Sequence, residues 1–570
     1  MNRAGKTFRV FVSSTFSDLK AERDALQTEV FPRLRRLCQR HGARFQAIDL
    51  RWGVSQQASR DQRTMTICLS EIERCQQVTP RPNFIVLLGD RYGWCPPPPS
   101  IPLSEFDQLL PHVSPEERSL LKAWYRRDEN AVPTEVVLQP WDELTYEAWS
   151  QIERKLHAAL RTAAREAGLD DDARFKYWAS ATHQEIATGA LSPQAEREHV
   201  FAFLRQIEDL PEDETAIDFT DLIRTDDAIT SDGDARERLA SLRADLRSAL
   251  PQNNVADYEA TWAESGPSTA HVSQLCQDVY QALKDVIERQ LTDLQEIEPL
   301  DAEVASHRAF AHERAQFFTG RTTYLARIED YLDSNHPRPL AIWGEPGSGK
   351  SALLAKALEQ AQATHPQAEI VFRFIGATPE SSSGRAFFDS LCRQIARCYG
   401  VNESMANHFG HQDPPRKFLE RLSFATQDKP LILFIDALDQ LSEMENAPRL
   451  AWLPAQLPDH VRLVVSTVRG QRKATLHAKL PPQNLVELKP MAPDKAEDLL
   501  DLWLDAADRD LQPGQRREVL ANPKPLHLKL AFEEARRWHA YDGIPAGADD
   551  VPGLSDDVEG LIKDLFARLS

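Results

Sequence analysis

Apolar residues in this chain come as short unbroken runs and as longer runs spaced for one helix face, and their alternation predicts parallel α/β sheets. The first short run, Phe8 to Ser13, is followed by a polar turn, Ser14 to Asp18, with several helix-capping side chains. In the helix that follows, Leu19, Leu26, Val30, Leu34 and Leu37 share one side, and Lys20, Glu22, Arg23 and Asp24 lie around the rest of the cylinder. Further strands are predicted over 44–50 and 83–89, with a helix over 65–75 between them. This order implies a doubly wound sheet, whose ligands sit beyond the C-terminal strand ends. That edge gathers Ser13, Ser14, Thr15, Asp49, Arg51, Trp52, Asp90, Arg91, Tyr92 and Trp94.

Between 111 and 169 the pattern turns helical, and Trp124, Trp141 and Trp149 read as core. A strand-like run over 199–207 enters an acidic stretch, 208–234, which includes Asp218, Asp221, Asp226 and Asp227. Its carboxylates lack the spacing of a calcium loop and read as a solvated loop. An amphipathic helix over 272–291 joins the two halves of the chain.

In the second half, the strand Leu340 to Trp343 breaks into Gly344, Glu345, Pro346, Gly347, Ser348, Gly349, Lys350 and Ser351, and helix-forming residues continue from Ala352. This is the G-x-x-x-x-G-K-[ST] pattern in its strand, loop, helix context. Peptide N–H groups of such a loop cradle the phosphates of a nucleotide, Lys350 adds a point charge, and the Ser351 hydroxyl is a Mg²⁺ ligand. About ninety residues on, the apolar run Leu431 to Ile435 ends in Asp436, the position of a Walker B carboxylate that holds Mg²⁺ through water. Asp439 is the candidate for orienting an attacking water. A further strand, 461–470, ends in Ser466, Thr467 and Arg469.

At 570 residues the chain exceeds one core, and 42% hydrophobic with 27% charged residues is ordinary for globular protein. A net charge of −20 argues against non-specific nucleic-acid binding. Seven cysteines, thinly spread and without a signal-like N-terminus, imply a reducing, cytoplasmic setting. Cys68 and Cys75 read as small buried hydrophobes. No apolar run is long enough to span a membrane, and the sequon Asn402-Glu403-Ser404 is then silent.

The stretches VFVSSTFSDLKAERDAL, AIDLRWGVS, CLSEIERC and FIVLLGDRYGW resemble the DUF4062 domain, a Rossmann-like module related in shape to TIR domains. The resemblance continues through 124–140 and 180–191. The second half resembles the STAND/NACHT-type P-loop ATPases of the AAA+ class, as in NACHT-WD40 and telomerase-associated-protein-like signalling ATPases. The resemblance implies an α/β chain: an N-terminal Rossmann-like (TIR-like) parallel-sheet domain with a helical insertion, then a P-loop NTPase domain with a C-terminal helical subdomain. It also implies ATP or ADP with Mg²⁺ as ligands, a signalling switch of immune or antiviral type, and protein partners or self-oligomerisation. By the same resemblance Phe318, Thr319, Gly320 and Arg321 lie on the base side, Thr467 or Arg469 senses the γ-phosphate, and Pro525 lies near the adenine with His527 beside it.

Gln440 stands where many NACHT ATPases carry an acidic residue, so hydrolysis is expected to be slow. The expected divisions are 1–205, a connecting region 206–300, the NTPase domain 301–485 and a helical lid 486–570. No winged helix or repeat array follows the lid, so either a natural short form or a truncated chain without its ligand-sensing part is expected. Two rival readings stand beside this one. One is an effector with NAD hydrolase-like chemistry on Glu71 or Glu73; the other is an AAA+ motor on nucleic acid, which the acidic balance opposes.

Overall fold

The computed structural model describes residues 7–567 apart from 42, 51–61, 63, 79–80, 142–143, 193–196, 225–228, 264–265, 297, 402–413, 443–449, 451 and 544–552. Arg51, Trp52, Asp226, Asp227 and the sequon therefore lie outside the described residues. The chain divides into two units, residues 2–128 with 133–296, and residues 297–570 with 129–132.

The first unit begins with β1 (Thr7–Ser13), β2 (Arg44–Ile48) and β3 (Phe84–Leu88). β4 (Ser100–Pro102), β5 (Tyr125–Asp128) and β6 (Glu135–Leu138) form a separate antiparallel sheet within the helical insertion. β7 (Val200–Glu208) returns to the main sheet, β8 (Leu222–Arg224) and β9 (Ile229–Ser231) pair as a hairpin, and β10 (Val255–Ala263) and β11 (Gly266–Pro267) finish the edge. The main sheet runs β11-β10-β7-β3-β1-β2 and is parallel except at β11. Apolar side chains cover both faces, which is why β3 is a continuous buried run instead of an alternating one. Phe8, Val10 and Val12 face the core containing Leu26 and Leu34, whereas Phe11 faces Cys68, Cys75 and Phe84 on the other side.

The stretch 111–169 is not helical throughout: the β5–β6 hairpin interrupts it, burying Tyr125, Val136 and Leu138. The rings of Trp141 and Trp149 stack at 6.0 Å in that core. Nor is 208–234 simply a solvated loop. Asp221 folds back to accept hydrogen bonds from the backbone N–H of Tyr92 (2.6 Å) and Gly93, so it caps the turn after β3.

In the second unit β12 (Leu340–Trp343), β13 (Glu369–Phe374), β14 (Leu431–Asp436), β15 (Val461–Thr467) and β16 (Leu485–Glu487) form one parallel sheet in the order β13-β14-β15-β12-β16. The Lys350–Thr364 and Thr322–Asp333 helices cover one face, and the Gly384–Cys398 and Pro414–Leu422 helices cover the other. Residues 493–535 form a small helical subdomain around Leu500, Trp503, Leu528 and Phe532. The parallel order brings the C-terminal ends of β12, β14 and β15 to one edge, and all the phosphate-loop chemistry lies there.

Candidate nucleotide site

The loop leaving β12 needs glycine at two positions. Gly347 has φ +75° and Gly349 has φ +92°, both in the left-handed region. A Cβ on Gly347 would stand 2.7 Å from the Cβ of Leu526. Gly349 caps the Lys350–Thr364 helix, so that helix's first N–H groups open toward the loop.

Lys350 is buried and curls over the loop, donating to the carbonyls of Gly344 (3.1 Å) and Glu345 (2.9 Å). Burial pulls its pKa down, and the nearby charges of Asp439, Asp436 and Glu345 oppose that shift. Asp436 is 2% exposed at the end of β14. It accepts a short hydrogen bond from the Ser466 hydroxyl and faces the hydroxyl of Ser351. Burial raises its pKa, while those hydroxyls and Lys350 pull it back. Asp439 bridges strand ends: its Oδ1 accepts from the Val468 N–H at 3.1 Å, and its carbonyl accepts from Arg472 Nη1 at 2.6 Å. Gln440 donates to the other carboxylate oxygen at 3.3 Å.

Thr467 is fully buried, and its Oγ1 and the Ser348 Oγ have no hydrogen-bond partner among the described residues. Buried orphan hydroxyls carry a desolvation penalty of roughly 1–3 kcal/mol, which a bound polar ligand can offset. Arg469 is exposed, 3.4 Å from Glu345 and over the Trp343 ring. Arg321 is 5% exposed and lies behind the loop, donating to the carbonyls of Lys489 (2.8 Å) and Ser348 (3.2 Å). Its guanidinium is thus committed to holding the loop from outside. Gly320 (φ +72°) packs against the Lys495 side chain, and Phe318 packs into the sheet core.

The helical subdomain reaches the loop through the start of the Pro525–Ala535 helix. The Leu526 N–H donates to the Gly347 carbonyl at 3.2 Å, and the Pro525 ring lies about 3.7 Å from where a Gly349 Cβ would stand. His527 faces away, with Nε2 2.7 Å from the Ser555 carbonyl. Between loop and subdomain lies a cavity of about 400 Å³. One wall is Gly347, Gly349, Lys350, Ser351 and Ala352; the other is Phe310, Phe317, Leu499, Trp503 and Pro525, with Lys529 over the Trp503 ring. That volume falls within the range of small-molecule sites. Loop N–H groups, a lysine and two oxygen donors, Ser351 and Asp436, suit a phosphorylated ligand and a hard cation.

Sequence reasoning missed the aromatic wall, and it placed Ser466 at a strand end without giving it a role. The wall draws on three distant segments, and no local pattern marks them. Ser466 was readable: pairing Ile435 with Val465 sets Ser466 beside Asp436.

In the first unit, Ser13 donates to Glu185 at 2.7 Å, Arg23 pairs with Asp49, and Arg205 lies among Asp18, Glu22 and Asp90, all at the C-terminal strand edge. Glu71 pairs with Arg9, near the start of β1 and away from that edge, and Glu73 is exposed.

Fold and site together define an α/β P-loop protein of AAA ATPase type with a helical subdomain over the loop. Residues 9–115 match the model of a domain of unknown function, DUF4062, and residues 318–466 match an AAA ATPase domain. NACHT domain- and WD repeat-containing protein 1 of Mus musculus is 30% identical over 92% of this chain and 35% of its own length. The Homo sapiens protein of that name is 31% identical over 88% of this chain and 34% of its own. NACHT and WD repeat domain-containing protein 2 of Homo sapiens is 28% identical over 95% and 34%. The chain spans about a third of the length of these relatives. The chain thus carries a region matching DUF4062 followed by a P-loop region matching the AAA ATPase domain, and over most of its length it is similar to NACHT and WD repeat-containing proteins.

Proposed function

We propose that the second unit binds ATP with Mg²⁺ and acts as a nucleotide-dependent switch that signals through the DUF4062 module, an adaptor or effector. The observation that carries this reading is the convergence of Lys350 and Ser351 with the start of the Pro525–Ala535 helix around one cavity, with the buried Asp436 directly behind Ser351. Lys350 and the loop N–H groups would hold the phosphates, and Ser351 and Asp436 the cation. Bound Mg²⁺ would supply charge neutralisation at the phosphates. A ligand that bridges loop and subdomain favours the arrangement in which both touch it. A tenfold population shift needs only about 1.4 kcal/mol of differential affinity, so rapid turnover is not required.

Slow hydrolysis fits the site as well. Asp439 is held by Val468 and Gln440, and Gln440 has no carboxylate to take a proton. Cytoplasmic location, protein partners or self-assembly, and a defence role belong to the same proposal. So do the divisions at 205, 300 and 485. The pairing of Glu71 with Arg9 weighs against an NAD hydrolase-like role for that carboxylate.

Calorimetry tests the reading. Lys350→Ala should lower ATP–Mg²⁺ affinity at least tenfold with the melting temperature nearly unchanged, and equal affinity in both proteins would overturn it. Asp436→Asn should remove the part of the affinity that depends on Mg²⁺.

A further inference from the structure

The segment from Phe31 to Arg44 carries five arginines, Arg33, Arg35, Arg36, Arg40 and Arg44, and no carboxylate, in a chain with 87 acidic and 67 basic residues. In the Phe31–Arg40 helix, Phe31, Leu34, Leu37 and Cys38 are buried. Helical spacing then sets Arg33, Arg36 and Arg40 along the outer side, spanning about 10 Å. All three are exposed, and none has an ion-pair partner among the described residues. A solvated helix face normally interleaves both signs of charge; on this one a single carboxylate, Glu29 one turn before Arg33, precedes three arginines in succession.

The Val272–Glu296 helix supplies the other wall. Its Tyr280 lies beneath Arg33, with the guanidinium carbon 3.6 Å from the ring centroid. Arg33, Arg36, Gln39, Arg40 and Tyr280 line an open surface cavity of about 560 Å³. Stacking on the ring holds the Arg33 plane and leaves its N–H fork pointing outward along that plane.

We propose that this cavity binds a small polyanion carrying two or more phosphate groups. Guanidinium forks match phosphate oxygens in pairs, and three of them a turn apart can engage neighbouring phosphates of one molecule. The rest of the chain limits the ligand's size. At physiological salt, charge is screened over about 8 Å, so a compact polyanion feels chiefly the three arginines, opposed by Glu29 one turn before Arg33. A long one would extend over a surface whose net charge is −20. The site is separate from the phosphate loop and does not depend on the nucleotide reading.

The experiment uses inorganic tripolyphosphate on the full chain, with phenylglyoxal as an arginine-modifying footprint read by mass spectrometry. Arg33, Arg36 and Arg40 should be protected several-fold, while Arg35, on the same helix but outside the cavity, and Arg154 react at unchanged rates. Calorimetry on Arg33→Ala/Arg36→Ala/Arg40→Ala in a Lys350→Ala background should show at least a tenfold loss of tripolyphosphate affinity relative to Lys350→Ala alone. Uniform protection of every exposed arginine would mean general charge screening and would overturn the proposal. Protection by hexaglutamate at the same concentration would also overturn it, in favour of an acidic protein segment. The footprint on the unaltered chain decides the matter even if the multiple variants fail to fold.

Discussion

The backbone N–H of Leu526 donates to the carbonyl of Gly347 at 3.2 Å, so the helical subdomain is hydrogen-bonded directly to the phosphate loop. The same contact leaves no room for a side chain at Gly347, because its Cβ would stand 2.7 Å from that of Leu526. Gly347→Ala adds left-handed strain of about 1 kcal/mol to that collision. It should reduce ATP affinity at least tenfold. Leu526→Gly in the same chain should restore part of it, a coupling of about 1 kcal/mol in a double-mutant cycle measured by calorimetry.

Arg321 supports the loop without facing the cavity. Removing its two donated hydrogen bonds frees the Ser348 and Lys489 carbonyls and loosens the loop. In an Arg33→Ala/Arg36→Ala/Arg40→Ala background, which removes the second polyanion site, Arg321→Ala should weaken ATP, GTP and tripolyphosphate by the same factor, about tenfold, since the defect is in the phosphate cradle. A base contact would instead change the ATP-to-GTP ratio and leave tripolyphosphate alone. Arg321→Lys should not rescue, because one ammonium lacks the fork that reaches two carbonyls at once. Three titrations on each variant separate the cases.

These two contacts show where the sequence was legible and where it was not. The runs at Leu340–Trp343 and Leu431–Ile435 announced buried parallel strands, because both faces of the sheet are covered and every position is apolar. The glycine pattern announced the loop between strand and helix. β10 went unread, since its polar and apolar positions alternate and it lies at the sheet's edge region beside β11. The β5–β6 hairpin was hidden by its brevity among helices. Arg321 read as a base-side residue from motif position alone. Its actual partners are carbonyls 27 and 168 residues away, which no local spacing encodes.

Glu185 gives the first unit a dependence on pH. It lies buried with the Ser13 hydroxyl as its hydrogen-bond donor, and burial pushes its pKa from 4.5 up to about 7. Below pH 4.5 both folded and unfolded chains hold the proton, and nothing is lost. As pH rises toward 7 the unfolded chain ionises first, so the folded state loses up to about 3 kcal/mol and the loss levels off above 7. Glu185→Gln removes this slope. Urea melts should find the variant more stable than the parent by about 1–3 kcal/mol at pH 8 and nearly equal to it at pH 4.5.

Ala437, directly after Asp436, has φ +60° and ψ 52°, a left-handed conformation that a non-glycine residue adopts only under constraint. Its N–H donates to the Ser466 Oγ at 2.9 Å, the same hydroxyl that donates to Asp436, so the strained residue is pinned to the carboxylate's own partner. That pinning turns the chain sharply enough to bring Asp439 back to Val468. Ala437→Gly removes the strain but enlarges the freedom of the unfolded chain, leaving a net gain of about 0.5 kcal/mol. Ala437→Val adds a branched Cβ, which tolerates this region far less well, and should cost about 2 kcal/mol or more. Opposite signs in the two denaturation midpoints are the expected result. Equal stabilities would mean that the turn relaxes freely, and Asp439 would then not be held where these contacts place it.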